Sequence, residues 1–327
     1  MVRELAIGVD LGGTHLRTAL VDRGGNIVLR RRTGSAGALG NVETRERLLR
    51  ECTALRDEAL KAGGRVMAVG LGVAGKVDSA AGKVVFSPNL RALDGQVLAP
   101  ELSGALGVPV FLDNDANVFG IGEARVGAGR GIENWIGIIL GTGIGGCLIL
   151  KGRLWTGDGL GFVAETGHFI VDPAGPRCIC GLKGCLEAHA SGRSLREGVE
   201  EAAAQGALRP GFLRDRWESG TLDARIVHLA ARRGDPLACA LFRRMGWALG
   251  LAVANFFTVL GIRSAIIGGS VAAAWDQFIG PLKKSLARHS CMLDPDETQI
   301  LPSVLGDDAG VCGGGLLAWD FLEGRNP

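Results

Sequence analysis

The sequence lacks the features that would direct it to a membrane, to export or to a nucleic acid. Its formal net charge is only +2, with 36 basic against 34 acidic residues, so no charge excess calls for such a partner. The N-terminal stretch MVRELAIGVDLGG has no long apolar run of the signal-peptide type. The most apolar long segment, residues 247–262, is shorter than the roughly 20 residues that span a membrane, which favours a buried helix. We therefore expect a cytoplasmic protein.

Low-complexity linkers and short-period repeats are also absent, whereas glycine is abundant. Glycine supplies 53 of the 327 residues, about twice its usual share of roughly 7%. This excess indicates many tight turns and close backbone approaches. A hydrophobic content of 47% excludes a disordered chain, and the length allows two domains.

Apolar segments with strand character alternate with segments of helical periodicity, which predicts an α/β fold. Two of the strand segments, 5–22 and 135–152, share one design: an apolar strand, a glycine-rich turn and a second apolar strand. Both read as β-hairpins with glycine tips. This long-range similarity suggests two related domains facing one another across a cleft.

The hairpin tips DLGGT (10–14) and GTGIGG (141–146) could bind phosphate, because glycines let backbone N–H groups converge on an anion. Asp10, at the end of a strand, is placed to hold Mg²⁺ directly or through water. Neither tip matches the Walker pattern, and each could instead be only a tight turn. The matched pair favours phosphate binding.

The stretch LDNDAN (112–117) places two carboxylates where a strand enters a helix, a corner that often faces a ligand crevice. Asp113 and Asp115 are both candidates for a base that accepts the proton of an attacking hydroxyl. Alternatively, Asn114 or Asp113 could simply cap the helix.

Three cysteines in the spacing C-x-C-x₄-C, preceded by a histidine, predict a zinc site. Cys178, Cys180, Cys185 and His168 offer the four N/S ligands of a tetrahedral structural site. The alternative is three unliganded, small hydrophobic cysteines.

In order along the chain, seven motifs resemble those of the ROK family of bacterial sugar kinases. They are VDLGGTHLRTALVD (9–22), GVAGKVD (72–78), SPNL (87–90), LDNDANVFGIGE (112–123), GTGIGG (141–146), ETGH (165–168) and CICGLKGCLE (178–187). His15 stands where members of the family often carry lysine, and Ala74 where proline is usual.

The resemblance implies the two-domain actin/hexokinase/Hsp70-type ATPase fold. The small domain would span 1–117 and be completed by a C-terminal helix in 306–327, and 118–305 would form the large domain. It also implies ATP- and Mg²⁺-dependent phosphorylation of the 6-hydroxyl of a hexose, with glucose first, and a homodimer or homotetramer.

The resemblance further assigns roles to single residues. Asp115 would be the general base, and Asp10 would support Mg²⁺. Sugar contacts would come from Gly75, Asn89, Asn114, Asp115, Glu165, His168 and Glu187. Nucleotide and phosphate contacts would come from Asp10, Gly12, Gly13, Thr14, Gly141, Thr142, Gly143, Gly268 and Gly269. The zinc ligands would be His168, Cys178, Cys180 and Cys185.

Three rival functions stay open at this point. A kinase of the same family could prefer N-acetylmannosamine, N-acetylglucosamine or fructose. A sugar-responsive repressor would need a helix-turn-helix before the first hairpin, for which nine residues leave no room, and a basic patch. A non-catalytic sugar sensor would not need Asp10, Asp115 and both hairpins.

Overall fold

The computed structural model describes residues 2–13, 15–34, 40–159 and 162–325, and divides the chain into two compact units. The first unit comprises Met1–Glu133, Cys147–Val163 and Val304–Pro327; the second comprises Asn134–Gly146 and Ala164–Ser303. The first unit thus runs past residue 117, and the predicted domain boundaries stay predictions.

Both units contain strands and helices. The strands are β1 (Arg3–Leu11), β2 (Leu16–Val21), β3 (Ile27–Thr33), β4 (Gly64–Val73), β5 (Lys76–Asp78), β6 (Lys83–Phe86), β7 (Val110–Asn114), β8 (Trp135–Leu140), β9 (Ile144–Leu150), β10 (Arg153–Leu154), β11 (Ser264–Gly268) and β12 (Gln299–Pro302). The helices are α1 (Asn41–Lys61), α2 (Leu98–Leu106), α3 (Asp115–Val126), α4 (Leu186–Ala190), α5 (Gly192–Ala204), α6 (Phe212–Glu218), α7 (Ala224–Arg232), α8 (Pro236–Leu260), α9 (Trp275–His289) and α10 (Ala309–Leu322).

The first unit is built on a five-stranded sheet in the order β3-β2-β1-β4-β7. β1, β2 and β3 form an antiparallel meander that begins with the predicted first hairpin. β4 and β7 then add in parallel, so the carboxyl ends of β1, β4 and β7 meet at one edge of the sheet.

The two faces of this sheet carry residues of different size. The large side chains of β1 (Leu5, Ile7, Val9, Leu11) are buried in a core shared with α1 and α2. The other face approaches α10 so closely that a Cβ on Gly8 would lie 1.8 Å from the Val311 carbonyl oxygen. A Cβ on Gly70 would lie equally close to the Gly314 carbonyl oxygen. Part of the glycine excess therefore serves backbone-to-backbone packing.

The second sheet has the order β10-β9-β8-β11-β12, with β8, β11 and β12 parallel. Helices α4 to α9 belong to the second unit, and α8 packs along α9. Among the described residues, α8 is the one helix long and apolar enough to cross a membrane, but 61% of its most apolar stretch is buried inside the protein. Such burial is typical of a core helix, as the sequence predicts.

Candidate active site

Two predicted carboxylate positions meet at the carboxyl edge of the first sheet. In the strand register, Asp10 on β1 pairs with Gly72 on β4, and Gly72 pairs in turn with Asp113 on β7. The glycine between them has no side chain, and Val118 of α3 packs against it: a Cβ on Gly72 would lie 3.2 Å from the Val118 Cβ. Ligands of α/β sheets commonly bind at such an edge.

Asp113 is a structural carboxylate. Its side chain is only 5% exposed and accepts hydrogen bonds from the Asn114 N–H (2.7 Å) and from the Asn117 amide Nδ2 (2.8 Å). Burial raises its pKa, which these hydrogen bonds oppose. Asp113 therefore connects the end of β7 to the first turn of α3 through these hydrogen bonds.

The next two residues, Asn114 and Asp115, have different roles where β7 enters α3. Asn114 is the N-cap of α3, because its Oδ1 accepts the backbone N–H groups of Ala116 (2.8 Å) and Asn117 (3.3 Å). Its Nδ2 donates to the Gly75 carbonyl oxygen at 2.8 Å, and an amide nitrogen carries a second hydrogen. Asp115 begins the helix and is half-buried. Of the two carboxylates that spacing alone could not separate, Asp115 is the more accessible.

The Gly75 and Asn89 positions lie beside this corner. Gly75 has φ +132°, and a Cβ there would lie 2.4 Å from the Phe86 carbonyl oxygen, so this position requires glycine. A Cβ on Gly13 would lie 2.9 Å from the Asn89 Cβ, which places the tip of the first hairpin against the predicted sugar contact. Thr14, predicted to bind phosphate, lies outside the described residues.

At the first hairpin, the Gly12 N–H donates to the His15 carbonyl oxygen at 3.0 Å and closes the turn. Asp10, just before it, accepts a hydrogen bond from Arg17 through Oδ2 at 3.0 Å. Burial raises the Asp10 pKa, which the Arg17 guanidinium opposes. Arg17 is a feature that the sequence reasoning missed; the antiparallel register that pairs it with Asp10 was the available signal.

The two departures from the family pattern have local consequences. Burial, followed by the Arg32 and Arg17 charges, lowers the pKa of His15 below its usual 6.5. The side chain is therefore neutral at pH 7, unlike a lysine. The Ala74 N–H donates to the Leu11 carbonyl oxygen at 3.3 Å, a hydrogen bond that proline could not make.

In the second unit, the tip of the second hairpin is closed by a hydrogen bond from the Gly141 N–H to the Gly143 carbonyl oxygen at 2.9 Å. The buried side chain of Glu187 contacts this hairpin, because its Oε2 accepts a hydrogen bond from the Ile144 N–H at 2.8 Å. A Cβ on Gly143 would lie 2.3 Å from the Glu187 Oε2, so the contact requires glycine. Arg193, also missed from the sequence, lies 3.7 Å from the other Glu187 oxygen.

The second hairpin is also backed by helix α5 and by the end of β11. The Gly141 and Thr142 carbonyl oxygens accept the N–H groups of Gly192 (2.8 Å) and Arg193 (3.2 Å). A Cβ on Gly269, which has φ +88°, would lie 2.4 Å from the Leu140 carbonyl oxygen. The structure thus brings together the predicted nucleotide positions of the second unit, Gly141 to Gly143 with Gly268 and Gly269. A 3₁₀ turn (Ser270–Ala274) separates these last glycines from α9.

Glu165 precedes a short 3₁₀ turn, Thr166–His168, of which His168 is the last residue, and Ala164 before it is strained. Ala164 has φ +52°, unusual for a residue with a Cβ. Burial raises the pKa of Glu165; His168 opposes the rise and Glu187 adds to it. The backbone N–H of His168 donates to the Glu165 carbonyl oxygen at 3.0 Å.

His168, Cys178, Cys180 and Cys185 form a compact four-ligand cluster. Their ligand atoms all lie within 4.8 Å of one another. The His168 Nδ1 is 3.8 Å from the Cys178 Sγ, and the Cys180 Sγ is 3.6 Å from the Cys185 Sγ. Tetrahedral zinc with bonds of about 2.0–2.3 Å separates its ligand atoms by about 3.5–3.8 Å, so the donor set fits zinc.

A narrow two-stranded loop sets this geometry. Single antiparallel bridges join Ile170 to Cys185 and Arg177 to Lys183. Gly184 has φ +73°, and a Cβ there would overlap the Asp172 carbonyl oxygen at 1.5 Å. The glycines in the motif are therefore needed to bring the cysteines together.

Comparisons with known proteins agree with this arrangement. The sequence profile of the ROK family matches residues 6–320. A glucokinase of Thermotoga maritima is 35% identical over 97% of this chain and 98% of its own length. An N-acetylmannosamine kinase of Escherichia coli is 30% identical over 95% and 97%. The crystal structure of a ROK family glucokinase from Streptomyces griseus in complex with glucose and AMPPNP superimposes with a TM-score of 0.81 at 33% identity, covering 97% of this chain and 99% of that one.

These matches run over nearly the full length of this chain and of each similar protein. They confirm the hexokinase-type α/β ATPase fold that the motifs imply. The chain belongs to the ROK family.

Proposed function

We propose that this protein transfers the γ-phosphoryl group of ATP to the 6-hydroxyl of a hexose, with glucose as the preferred acceptor. The observation that carries the proposal is the different burial of two aspartates where β7 enters α3. Asp113 is buried and bound by two donors, whereas Asp115 stays half-buried at the carboxyl edge of the sheet. The family's glucokinases support the acceptor.

In this proposal Asp115 is the general base. A sugar hydroxyl is a poor nucleophile, and a carboxylate within hydrogen-bond reach accepts its proton as the oxygen attacks the γ-phosphorus. Asn114, Gly75 and Asn89 are proposed sugar contacts. Glu165, His168 and Glu187 are proposed as further sugar contacts, and Glu187 also accepts the Ile144 N–H of the second hairpin.

Phosphate binding would use the two glycine hairpins. The first would offer backbone N–H groups of Gly12 and Gly13, and the second those of Gly141 to Gly143. One Asp10 oxygen accepts from Arg17, and we propose that the other accepts from water bound to the Mg²⁺ that accompanies ATP.

The residues of the cysteine cluster would hold a structural Zn²⁺. When bound, the ion supplies a fixed positive charge and a rigid cross-link between the two arms of the loop. Because the Nδ1 of His168 faces Cys178, its Nε2 is the ring nitrogen left to orient toward a sugar hydroxyl.

The test is ADP release from the purified protein with Mg-ATP and one sugar at a time: glucose, mannose, fructose, N-acetylmannosamine and N-acetylglucosamine. Glucose is expected to give the highest kcat/KM. Asp115→Asn is expected to lower kcat by at least roughly 100-fold, as for loss of a general base. Full activity of this variant would overturn the assignment of the base.

An N-acetylhexosamine kinase is the second candidate, favoured by the 30% identity to an N-acetylmannosamine kinase. A higher kcat/KM for an N-acetyl sugar, with the same dependence on Asp115, would select it. Absence of turnover with every sugar, in protein that contains zinc, would overturn both kinase assignments in favour of a sugar sensor.

A further inference from the structure

The first unit contains a cavity whose lining includes no residue of the carboxyl edge of its sheet. It has a volume of ≈ 450 Å³ and lies among the last two turns of α3, the β9–β10 turn and the end of α10. This size is within the range of about 300–1,000 Å³ that is usual for small-molecule sites. None of its lining residues belongs to the proposed active site.

Three arginines converge on this cavity, one from each of these elements: Arg125, Arg153 and Arg325. Asp320 is the one acidic residue among the described residues that line the cavity. It is 5% exposed, and one oxygen, Oδ1, lies 2.7 Å from the Arg125 Nη1 and 3.1 Å from the Arg325 Nε. The buried carboxylate thus fixes two guanidinium groups at the cavity wall.

The third arginine supplies the surplus charge. Glu323 contacts Arg325 from outside the lining but also pairs with Arg23, so the two carboxylates leave a positive surplus at the cavity. Within the described part of the chain, the side chain of Arg153 is exposed and has neither an ion pair nor a hydrogen bond. The backbone at Arg153 is held in place, because Arg153 pairs with Leu150 across a tight turn and the Gly152 N–H donates to the Glu133 carbonyl oxygen at 2.8 Å.

The floor of the cavity is apolar. Ile121, Ile149 and Leu154 line it, and Ile121 and Leu154 are less than a tenth exposed. A guanidinium offers a planar set of donors that matches a phosphate group, and an apolar floor suits the carbon skeleton that carries such a group. We propose that this cavity binds a small phosphate ester, with the phosphate at Arg153 and the carbon skeleton over the floor.

The proposal is tested by hydrogen exchange of the full-length, zinc-containing protein with glucose 6-phosphate as the probe. Amides of the β9–β10 turn (149–154) and of the end of α10 (319–325) are expected to exchange more slowly when the ester is present. The same protection is expected in Asp115→Asn, since the cavity does not use that residue. Glucose is the uncharged control and should not protect these segments.

Arg153→Gln is the decisive variant, because this exposed side chain supports no ion pair in the described structure. Loss of a charge-assisted hydrogen bond should raise the ester concentration for half protection by about 10-fold or more. Arg209→Gln removes an exposed arginine in the second unit and should leave it unchanged. Melting temperatures close to that of the wild type would show that both variants are folded.

Inorganic phosphate, used as a second probe, distinguishes a site for a phosphate ester from a site for free phosphate. It should protect these segments less than the ester at equal concentration, because it cannot contact the floor. Equal protection would overturn the assignment of an ester. No protection by glucose 6-phosphate, or protection that Arg153→Gln leaves intact, would overturn the site itself.

Discussion

Asp113 and Asp115 show how two identical side chains, two positions apart, acquire different roles. Asp113 is the fourth residue of β7, buried beside Gly72, whereas Asp115 is the first residue of α3. The intervening Asn114 ends the strand and caps the helix. From sequence, both aspartates are equivalent candidates, because only the packing of the strand against its neighbour decides which carboxylate is buried.

Asp113→Asn is expected to keep kcat within about twofold of the wild type, in contrast to Asp115→Asn, since its side-chain oxygen can still accept both N–H groups. Its effect on stability should depend on pH. Burial raises the folded pKa of Asp113 above the ordinary 3.8, so the ionised carboxyl costs stability above that folded pKa and the cost vanishes below 3.8. The variant should therefore melt higher than the wild type at pH 8, by a margin that disappears at pH 3.5.

Thermal melts at the two pH values, alongside sugar-dependent ADP release, check this expectation. A loss of activity in Asp113→Asn as large as that in Asp115→Asn would mean that the two carboxylates act together. A margin that grows as the pH falls would contradict the role of burial.

At the scale of elements, the parts of the fold that local pattern determines could be predicted from the sequence. Both glycine hairpins form as predicted, and α10 begins in the predicted glycine-rich stretch. Helices α2 and α9 each contain proline and glycine, which weaken the helical signal of the sequence. Pro100 is tolerated because it lies in the first turn of α2, where its missing N–H is not needed.

In α9, long-range packing overrides the local pattern instead. A Cβ on Gly246 of α8 would lie 2.7 Å from the Pro281 Cβ, so the two helices fit at the proline. The position of Glu187 is equally long-range. It contacts a hairpin 43 residues earlier, a contact that no local motif reveals.

Gly143→Ala is expected to damage the second hairpin, because its Cβ would overlap the Glu187 carboxylate at 2.3 Å. We expect kcat/KM for Mg-ATP to fall by about 10-fold or more, since each well-placed donor to a charged phosphate is worth about 1.5–3 kcal/mol. The measurement is initial rate against nucleotide concentration at saturating sugar.

Gly104→Ala is the matched control. This glycine lies inside α2 with no atom within 4 Å of the added Cβ, so alanine should stabilise the helix by about 0.5–1 kcal/mol and leave the nucleotide KM unchanged. If both variants raise the KM alike, the hairpin contact is not the cause.

The loop that carries the cysteine cluster (168–185) gives a second prediction at this scale. Protein purified without chelator should contain one zinc per chain by atomic absorption, and Cys180→Ser should contain less. Removing the ion should lower the melting temperature and weaken sugar binding, because the loop carries His168 and lies next to Glu187 along the chain. Zinc-free protein with unchanged sugar affinity would contradict this positional role.

At the scale of the whole molecule, the residues that bind sugar and the residue that reacts with it can be separated by ligand-linked stability. A ligand present at 100 times its Kd stabilises the folded chain by about 2.7 kcal/mol, which for a chain of 327 residues corresponds to a shift of about 4 °C in melting temperature. Glucose is expected to produce such a shift in the wild type and a similar one in Asp115→Asn, because that variant loses the base and keeps the other sugar contacts.

Glu165→Gln is expected to reduce the glucose-induced shift, since burial next to Glu187 prepares this carboxylate for a hydroxyl donor. The measurement is the melting temperature, by calorimetry, of the wild type, Asp115→Asn and Glu165→Gln with glucose and with AMPPNP alone. A sensor without catalysis would give the same pattern of shifts, with no turnover in any of the three proteins. If Asp115→Asn loses both turnover and shift, Asp115 is needed to bind the sugar as well as to accept its proton.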